Sequence, residues 1–378
     1  MAKMRLLMTS SRRIVVTGAN GFIGKNLCVR LRELGYSDVR RVTRETSDIE
    51  LASYLESADF VFHLAGTNRP PTEAEFEQSN TGFTRKLSAQ LGSASHRPVV
   101  VYASSVHATR DTPYGRSKRA AEEILLGNAQ QFDTQVHILR LPNVFGKWSR
   151  PEYNSVVATF CHRLTRDLPI SINDGPLTLI YIDDVLDLFE RALDGSLSRS
   201  SAYPEISPTY HTTVAEVAET LRGFREGRRN LMAPRSGAGL VRALYATFVS
   251  FLPPESFFYD LPRHSDARGD FVEFLKTTDF GQVSYLTARP GVTRGEHYHH
   301  TKTERFLVVR GTARFGFRNI DTGEVVEVTT RGEDVRVVET IPGWAHNITN
   351  VGDGDLFVLL WASENFDRSR PDTIRAEV

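Results

Sequence analysis

The chain has 378 residues, 40% of them hydrophobic and 24% charged, with Lys+Arg and Asp+Glu equal at 46 each. This is the composition of an ordinary globular protein long enough for two domains, with no net charge to draw it to nucleic acid or a membrane surface. No run approaches the ~18 apolar residues of a spanning helix, Met1 to Arg13 lacks the apolar centre of a signal peptide, and two lone cysteines, Cys28 and Cys161, fit a reducing compartment better than a disulfide framework.

These features predict a cytoplasmic protein. The first half alternates strand and helix. Strand-like runs stand at Arg13–Thr17, Val39–Thr43, Asp59–Ala65, Pro98–Ser104 and Gln135–Leu141. Between them, apolar residues recur at helical spacing: Phe22, Ile23, Leu27, Leu31 and Leu34 first, then Thr84–Leu91 and Ser117–Leu126. That alternation predicts an α/β, Rossmann-like, doubly wound parallel sheet. Gly18, Gly21 and Gly24 sit between the first strand and the first helix. Glycines there let backbone N–H groups approach a pyrophosphate at the helix N-terminus. Arg40-Arg41-Val-Thr43-Arg44 ends the second strand where NAD enzymes carry an acidic residue. Arginine pairs with a 2′-phosphate, so Arg44 and its neighbours favour NADPH.

Tyr114-Gly-Arg-Ser-Lys118 follows a serine pair, Ser104-Ser105. Residues at i and i+4 share a helix face, and an ammonium beside a phenol lowers its pKa. Tyrosine would then exchange a proton with a substrate that the serine hydroxyl holds. Asn154 and Ser155, after Arg150-Pro-Glu-Tyr153, form either a substrate loop or the cap of a helix Val156–Leu164.

Residues 13 to about 195 resemble the extended short-chain dehydrogenase/reductase family, which acts on nucleotide sugars. The motifs are Thr17-Gly-Ala-Asn-Gly-Phe-Ile-Gly24, His63-Leu-Ala-Gly66, Ser104-Ser105, Tyr114-xxx-Lys118, Leu141-Pro-Asn-Val-Phe-Gly146 and Tyr181-Ile-Asp-Asp-Val185. The resemblance implies Tyr114 as general acid, Lys118 on the nicotinamide ribose and Ser105 on the carbonyl, with Ser104 as the other candidate. It implies cofactor contacts from Gly18, Asn20, Gly21, Phe22, Ile23, Gly24, Asp48, Leu64, Ala65 and Gly66, and a substrate contact from Asn143. Gly66 departs from the family, which more often has alanine there.

From 196 to about 262 the pattern changes. Ser196–Ser201 reads as a loop, and Thr213-Val-Ala-Glu216 as a capping box opening a helix through Leu221. Gly223–Gly239 is rich in Gly and Arg, and Leu240–Phe251 reads as a helix that Pro253-Pro254 ends. We place the boundary between 255 and 256: residues 1–255 as the reductase domain, 256–378 as a second, all-β domain.

Short alternating runs follow at Phe271–Lys276, Gln282–Ala288, Glu304–Val309, Thr312–Arg318, Glu324–Val328, Val335–Val338 and Leu356–Trp361. They predict a barrel or jelly roll. His297 and His299 would share one face of a strand, and with Glu304 they suit a borderline divalent cation such as Zn²⁺. His346 could add a fourth ligand. The spacing resembles the two motifs of the cupin superfamily, which implies His297, His299, Glu304 and His346 as the ligands. Asp266-Ala-Arg268-Gly269, Gly291-Val-Thr-Arg294-Gly295 and Ile341-Pro-Gly-Trp-Ala-His346 also resemble cupin-fold sugar-nucleotide epimerases, which need no metal.

Taken whole, the chain resembles the bifunctional capsular-polysaccharide enzymes of UDP-N-acetyl-L-fucosamine synthesis, down to Pro371-Asp-Thr373 at its tail. The resemblance implies a UDP-linked 4-keto-6-deoxy amino sugar, UDP-2-acetamido-2,6-dideoxy-hexos-4-ulose, inverted at C3 by the cupin domain. NADPH-dependent reduction at C4 would then give UDP-2-acetamido-2,6-dideoxy-L-talose. His300, Tyr298 and Lys302 are the candidates for moving the C3 proton. Cupins commonly pair, so a homodimer is expected. A competing reading is a 4,6-dehydratase or 4-epimerase whose cupin only binds or dimerises.

Overall fold

The computed structural model describes residues 12–197, 201–257, 259–300, 302–369 and 371–378. Most of Met1 to Arg13 and part of the expected loop Ser196–Ser201 lie outside them. The chain divides into two compact units: Met1–Leu221 with Ala243–Leu252, and Arg222–Arg242 with Pro253–Val378.

In the first unit, β1 (Ile14–Thr17), β2 (Val39–Val42), β3 (Phe60–His63), β4 (Val99–Ser105) and β5 (Val136–Leu141) form a parallel sheet in the order β2-β1-β3-β4-β5. Both faces are covered, so its central strands are apolar up to their C-terminal ends, as buried parallel strands must be. Ile14, Val16, Phe60 and Phe62 join Leu27, Leu186 and Phe189 on one side. Val15, Val61 and Val100 join Leu51, Leu87 and Leu125 on the other. This is the doubly wound sheet that the alternation predicted. A smaller sheet, β6 (Asn143–Phe145), β7 (Pro176–Tyr181) and β8 (Tyr210–Thr213), was not anticipated.

Helix ends follow their caps. Thr112 accepts from Gly115 N at 3.0 Å and Pro113 occupies the first turn. The helix therefore starts at Pro113, ahead of the expected Ser117, and runs to Phe132. The capping box at Thr213 and Glu216 forms as read, with Glu216 N to Thr213 Oγ1 at 3.1 Å and Thr213 N to Glu216 Oε2 at 2.9 Å. Its helix, however, continues past Leu221 to Asn230. Buried Val217, Leu221 and Phe224 keep the helical spacing going, and at Gly227 a side chain would press on Met232 O at 2.3 Å. Close packing requires the glycine there.

The second unit has two antiparallel sheets. One has the order β16-β13-β18-β11-β10-β9 and the other β15-β14-β17-β12-β19. The strands are β9 (His264–Asp266), β10 (Gly269–Lys276), β11 (Gln282–Ala288), β12 (Thr293–Tyr298), β13 (Glu304–Arg310), β14 (Thr312–Asn319), β15 (Val325–Arg331), β16 (Val337–Glu339), β17 (Trp344–Asn350), β18 (Leu356–Ala362) and β19 (Ile374–Arg375). Alternate residues point inward, and Leu286, Phe306, Phe315, Ile348, Val358 and Leu360 fill the core. The all-β expectation holds. Edge strands β9 and β19 were too short to announce themselves.

One glycine fixes the geometry of the first site. A Cβ on Gly24 would lie 2.3 Å from Gly18 O and 2.8 Å from Ala19 Cα, so only glycine lets the helix Phe22–Glu33 start this close to β1. Gly24→Ala is expected to destabilise the first unit by about 1–3 kcal/mol through overpacking. The check is the urea midpoint of its unfolding; an unchanged midpoint would mean that the loop yields without strain.

Candidate functional site

The first site is built at the C-terminal ends of β1, β3 and β4. Gly18 has φ of +66°, and a Cβ there would lie 2.8 Å from Ala65 N and Cα. That contact lays Leu64-Ala65-Gly66 against the glycine loop. Thr17 secures it: its Oγ1 accepts from Leu64 N and Ala65 N, both at 3.1 Å, and lies 2.8 Å from His63 Nδ1. His63 Nε2 lies 2.9 Å from Thr84 Oγ1, whose hydroxyl donates to Asn80 O at 2.6 Å. The pattern requires His63 to carry its proton on Nε2. Burial, with the Lys118 ammonium, lowers its pKa to about 3, so His63 is a neutral structural strut.

The helix Phe22–Glu33 begins without a side-chain cap and without an acidic residue in its first turn. Its first N–H groups are therefore available to a phosphate. Arg41, not Arg44, reaches the loop: its Nη2 donates to Asn20 Oδ1 at 2.9 Å. Arg40 is held on Asp38 at 2.6 Å, and Arg44 is exposed beyond the strand. Asp48 opens the helix Asp48–Glu56 and pairs with Lys86; beside it Ile49 is 83% exposed, an uncovered apolar surface.

The serine pair separates as strand alternation demands. Ser104 turns to Glu122 Oε1, while Ser105 accepts from His107 N at 3.2 Å and interacts with the Tyr114 phenol. The expected depression of the phenol's pKa is not found. Burial raises it, and the neighbouring Ser105 hydroxyl offsets only part of that rise. Lys118 is turned elsewhere, donating to Ala103 O at 2.8 Å and Tyr102 Oη at 3.1 Å. Its own pKa falls to about 8 through burial, opposed by the Glu122 carboxylate.

Asn80 gave no signal in the sequence, since it lies in a π-helical turn, Glu77–Gly82. It binds Thr67 N at 2.8 Å, Thr67 O at 3.0 Å and Ser117 Oγ at 2.9 Å. It also accounts for Gly66: an alanine methyl would meet Asn80 Oδ1 at 2.9 Å. Of the substrate candidates, Asn143 donates to Thr178 O at 3.2 Å and Asn154 is exposed. Ser155 caps the helix Val156–Leu164 by accepting from Ala158 N at 3.2 Å.

The second site lies inside the second unit. His297 on β12 pairs with His346 on β17, after a register shift at Glu296, which has φ of +61°. Contrary to the expectation from its spacing, His299 is not on that strand, because β12 ends at Tyr298. Its ring still converges with the others. Centroid distances are 4.7 Å for His297–His346, 4.9 Å for His297–His299 and 5.1 Å for His299–His346. Glu304 opens β13, and its Oε2 lies 3.4 Å from His299 Nε2 and 3.3 Å from His346 Nε2. One ligand atom from each of the four lies within 4.8 Å of the rest.

Burial alone would raise the Glu304 pKa. The imidazoles of His299 and His346, with the Lys302 ammonium at 3.4 Å, more than reverse this and hold it ionised. Burial and the neighbouring imidazoles lower the His297 pKa to about 4. His346 Nε2 is buried and, despite its closeness to Glu304, makes no hydrogen bond. A carboxylate, three convergent imidazoles and an orphaned ring nitrogen facing one point fit a divalent cation.

A cavity of about 370 Å³ opens on this cluster and is also lined by Arg268, Arg294, Lys302 and Phe366. Of the three proton-transfer candidates, Lys302 lines it; Tyr298 and His300 do not, and stack edge-on with each other at 5.4 Å.

Comparisons with known proteins agree with both units. Residues 14–201 match the NAD dependent epimerase/dehydratase family, and residues 264–374 match the polysaccharide biosynthesis C-terminal domain. The UDP-2-acetamido-2,6-beta-L-arabino-hexul-4-ose reductase of Pseudomonas aeruginosa is 53% identical over 368 residues, covering 97% of this chain and 99% of its own. The crystal structure of the capsular polysaccharide assembling protein CapF from Staphylococcus aureus superimposes with a TM-score of 0.90 at 39% identity, over 97% of this chain and 100% of that one. Bordetella bronchiseptica WbmF, solved with NADH, shares the fold of 65% of this chain, with 93% of its own covered, at a TM-score of 0.54 and 21% identity. The chain therefore belongs to the family of two-domain polysaccharide-biosynthesis proteins that includes CapF of Staphylococcus aureus and this Pseudomonas reductase.

Proposed function

We propose that this chain reduces a UDP-linked 4-keto-6-deoxy amino sugar with NADPH in residues 1–255, after residues 256–378 have inverted its C3 centre. The substrate is UDP-2-acetamido-2,6-dideoxy-hexos-4-ulose and the product UDP-2-acetamido-2,6-dideoxy-L-talose, for capsule or O-antigen synthesis in the cytoplasm. One observation carries the reading. The Ser105 hydroxyl interacts with a protonated, desolvated Tyr114 phenol beside an uncapped, glycine-opened helix, as a carbonyl reductase requires.

In the reduction, Ser105 orients the C4 carbonyl and Tyr114 gives its phenolic proton to the oxygen as the carbonyl becomes an alcohol. The nicotinamide, when bound, supplies the hydride to C4. A phenol whose pKa burial has raised stays protonated until the substrate takes the proton. Lys118 would lend positive charge to the ribose of a bound nicotinamide cofactor. Arg41, steadied by Asn20, and Arg44 provide the cationic rim that favours NADPH over NADH.

In the epimerisation, the proton at C3 leaves next to the ketone and returns on the opposite face. His297, His299, Glu304 and His346 would hold the metal, and their donor set suits Zn²⁺. When bound, such a cation supplies several kcal/mol of electrostatic stabilisation to the developing negative charge. Lys302, inside the cavity, is the candidate for the proton. Arg268 and Arg294 give the same cavity a cationic end suited to the diphosphate. Its volume of about 370 Å³ is within the ordinary range for a small-molecule site.

We also propose a homodimer through the outer face of the sheet containing β13 and β18. Val337, Leu307, Leu359 and Tyr285 stand side by side across four strands there. Val337 is 57% and Leu359 37% exposed, an apolar stripe that a second copy would cover.

Three measurements test these readings. Tyr114→Phe should lower reduction by about 10²–10⁴-fold while still incorporating solvent deuterium at C3, and His297→Ala should lose the deuterium. Equal incorporation by both would remove the epimerase from the second unit. Arg41→Ala should lower kcat/KM for NADPH by about tenfold or more and leave that for NADH nearly unchanged; an equal loss for both would refute 2′-phosphate reading. Leu359→Asp should shift the protein to a monomer in sedimentation equilibrium, and an unchanged mass would move the interface elsewhere.

A further inference from the structure

Pro371-Asp372-Thr373 belongs to neither motif of the second site, yet it lies against the first of them. The Asp372 carbonyl oxygen meets Nδ1 of His299. Its carboxylate accepts from His300 N through Oδ1 at 3.0 Å and from Lys302 N through Oδ2 at 2.9 Å. Thr373 Oγ1 lies 3.4 Å from Lys302 Nζ. The following residues form β19, which pairs with β12 at His297↔Arg375 and Tyr298↔Ile374. Farther on, Ala376 N donates to Glu296 O and Val378 N to Glu296 Oε2, both at 3.0 Å. Glu296 is the left-handed residue whose bulge precedes His297.

These contacts have one chemical consequence. An imidazole that donates Nδ1–H to a carbonyl presents its lone pair only at Nε2. In His299 that is the atom facing Glu304 Oε2 at 3.4 Å. The backbone that carries His299 and Lys302 has left the strand, so its N–H groups at 300 and 302 have no ladder partner. The carboxylate of Asp372, seventy residues away in sequence, takes both. Removing it frees the turn and, with it, the orientation of the His299 ring.

We propose that Asp372 is a positioning residue for the metal site: its carbonyl fixes the Nε2-presenting tautomer of His299, and its carboxylate holds the turn bearing His299 and Lys302 in place before the cation arrives. The proposal rests on the reading of His297, His299, Glu304 and His346 as a metal site. Asp372 acts through His299 and is not itself a ligand.

The test is the Zn²⁺ affinity of the full chain by chelator competition, with Co²⁺ absorption as a report on ligand geometry. Asp372→Ala should weaken Zn²⁺ binding about 10–100-fold and alter the visible Co²⁺ bands. The melting temperature of the metal-free protein should stay at the wild-type value, as should NADPH-dependent reduction of an added UDP-4-ketosugar already inverted at C3. Asp372→Asn, which keeps one side-chain acceptor, should fall between the two, and decides the matter if the alanine variant does not fold. Wild-type affinity and Co²⁺ bands in these variants would overturn the proposal. So would a loss of affinity matched by a lower metal-free melting temperature, which would give Asp372 a purely structural role. A wild-type chain without Zn²⁺ affinity would instead refute the metal reading itself.

Discussion

The first site depends on the cost of burying charge. Lys118 is 6% exposed and donates only to neutral oxygens, those of Ala103 and Tyr102. Neutral acceptors replace part of an ammonium's hydration, and the rest must come from opposite charge. Glu122 supplies it from one turn further along the same helix, itself 1% exposed. Its carboxylate is fixed by Arg140, Ser104 and Tyr203, and the Arg140 guanidinium lies 4.5 Å from the Tyr203 ring centroid. The network explains why Ser104 and Ser105 are not interchangeable. Ser104 anchors the charge that supports Lys118, which leaves Ser105 free to face Tyr114.

The second site meets the same cost with the sign reversed. Glu304 is buried among three imidazoles and one ammonium, and these make ionisation favourable where burial alone would suppress it. A carboxylate kept charged, with His297 kept neutral, is already in the protonation state that a divalent cation requires. Most of the site's electrostatic work is thus done by its protein surroundings. Lys302 has two neighbours, Glu304 Oε1 and Thr373 Oγ1, each at 3.4 Å, which hold its amine at the cavity wall.

Patterns that repeat along the chain were legible in the sequence, and contacts that close over long separations were not. Alternating runs predicted the parallel sheet and the all-β unit, because burial on one or two faces leaves a period in the residues themselves. The four histidine and glutamate ligand candidates converge as their motif spacing implied. The extent of the strand carrying His297 was misjudged: β12 stops at Tyr298, and beyond it His300 N and Lys302 N bond to the Asp372 carboxylate and not to a neighbouring strand. Asn80 was overlooked for the same reason, and the Asn20 contact that sets Arg41 apart within its arginine run was not foreseen: each residue matters through a partner far away, and neither pair leaves a local signature. The direction of the Tyr114 shift was missed because adjacency on a helix does not say where an ammonium points. Lys118 turns to β4, and burial then outweighs any neighbouring charge.

Under the proposed reading, joining the two sites in one chain has a thermodynamic reason. Inverting a centre beside a ketone interconverts two sugars of similar energy, so the epimerisation alone stops at a mixture. Hydride transfer to C4 removes the ketone, and with it the acidity of the neighbouring C–H, so the inverted centre can no longer revert. The reduction therefore has to draw from an epimerising pool, and its proton donor must not act as a base toward the ketosugar. A phenol raised by burial satisfies that condition. While Tyr114 stays protonated it can give a proton to C4–O⁻ but cannot abstract one from C3, and the two proton chemistries stay apart in a single chain.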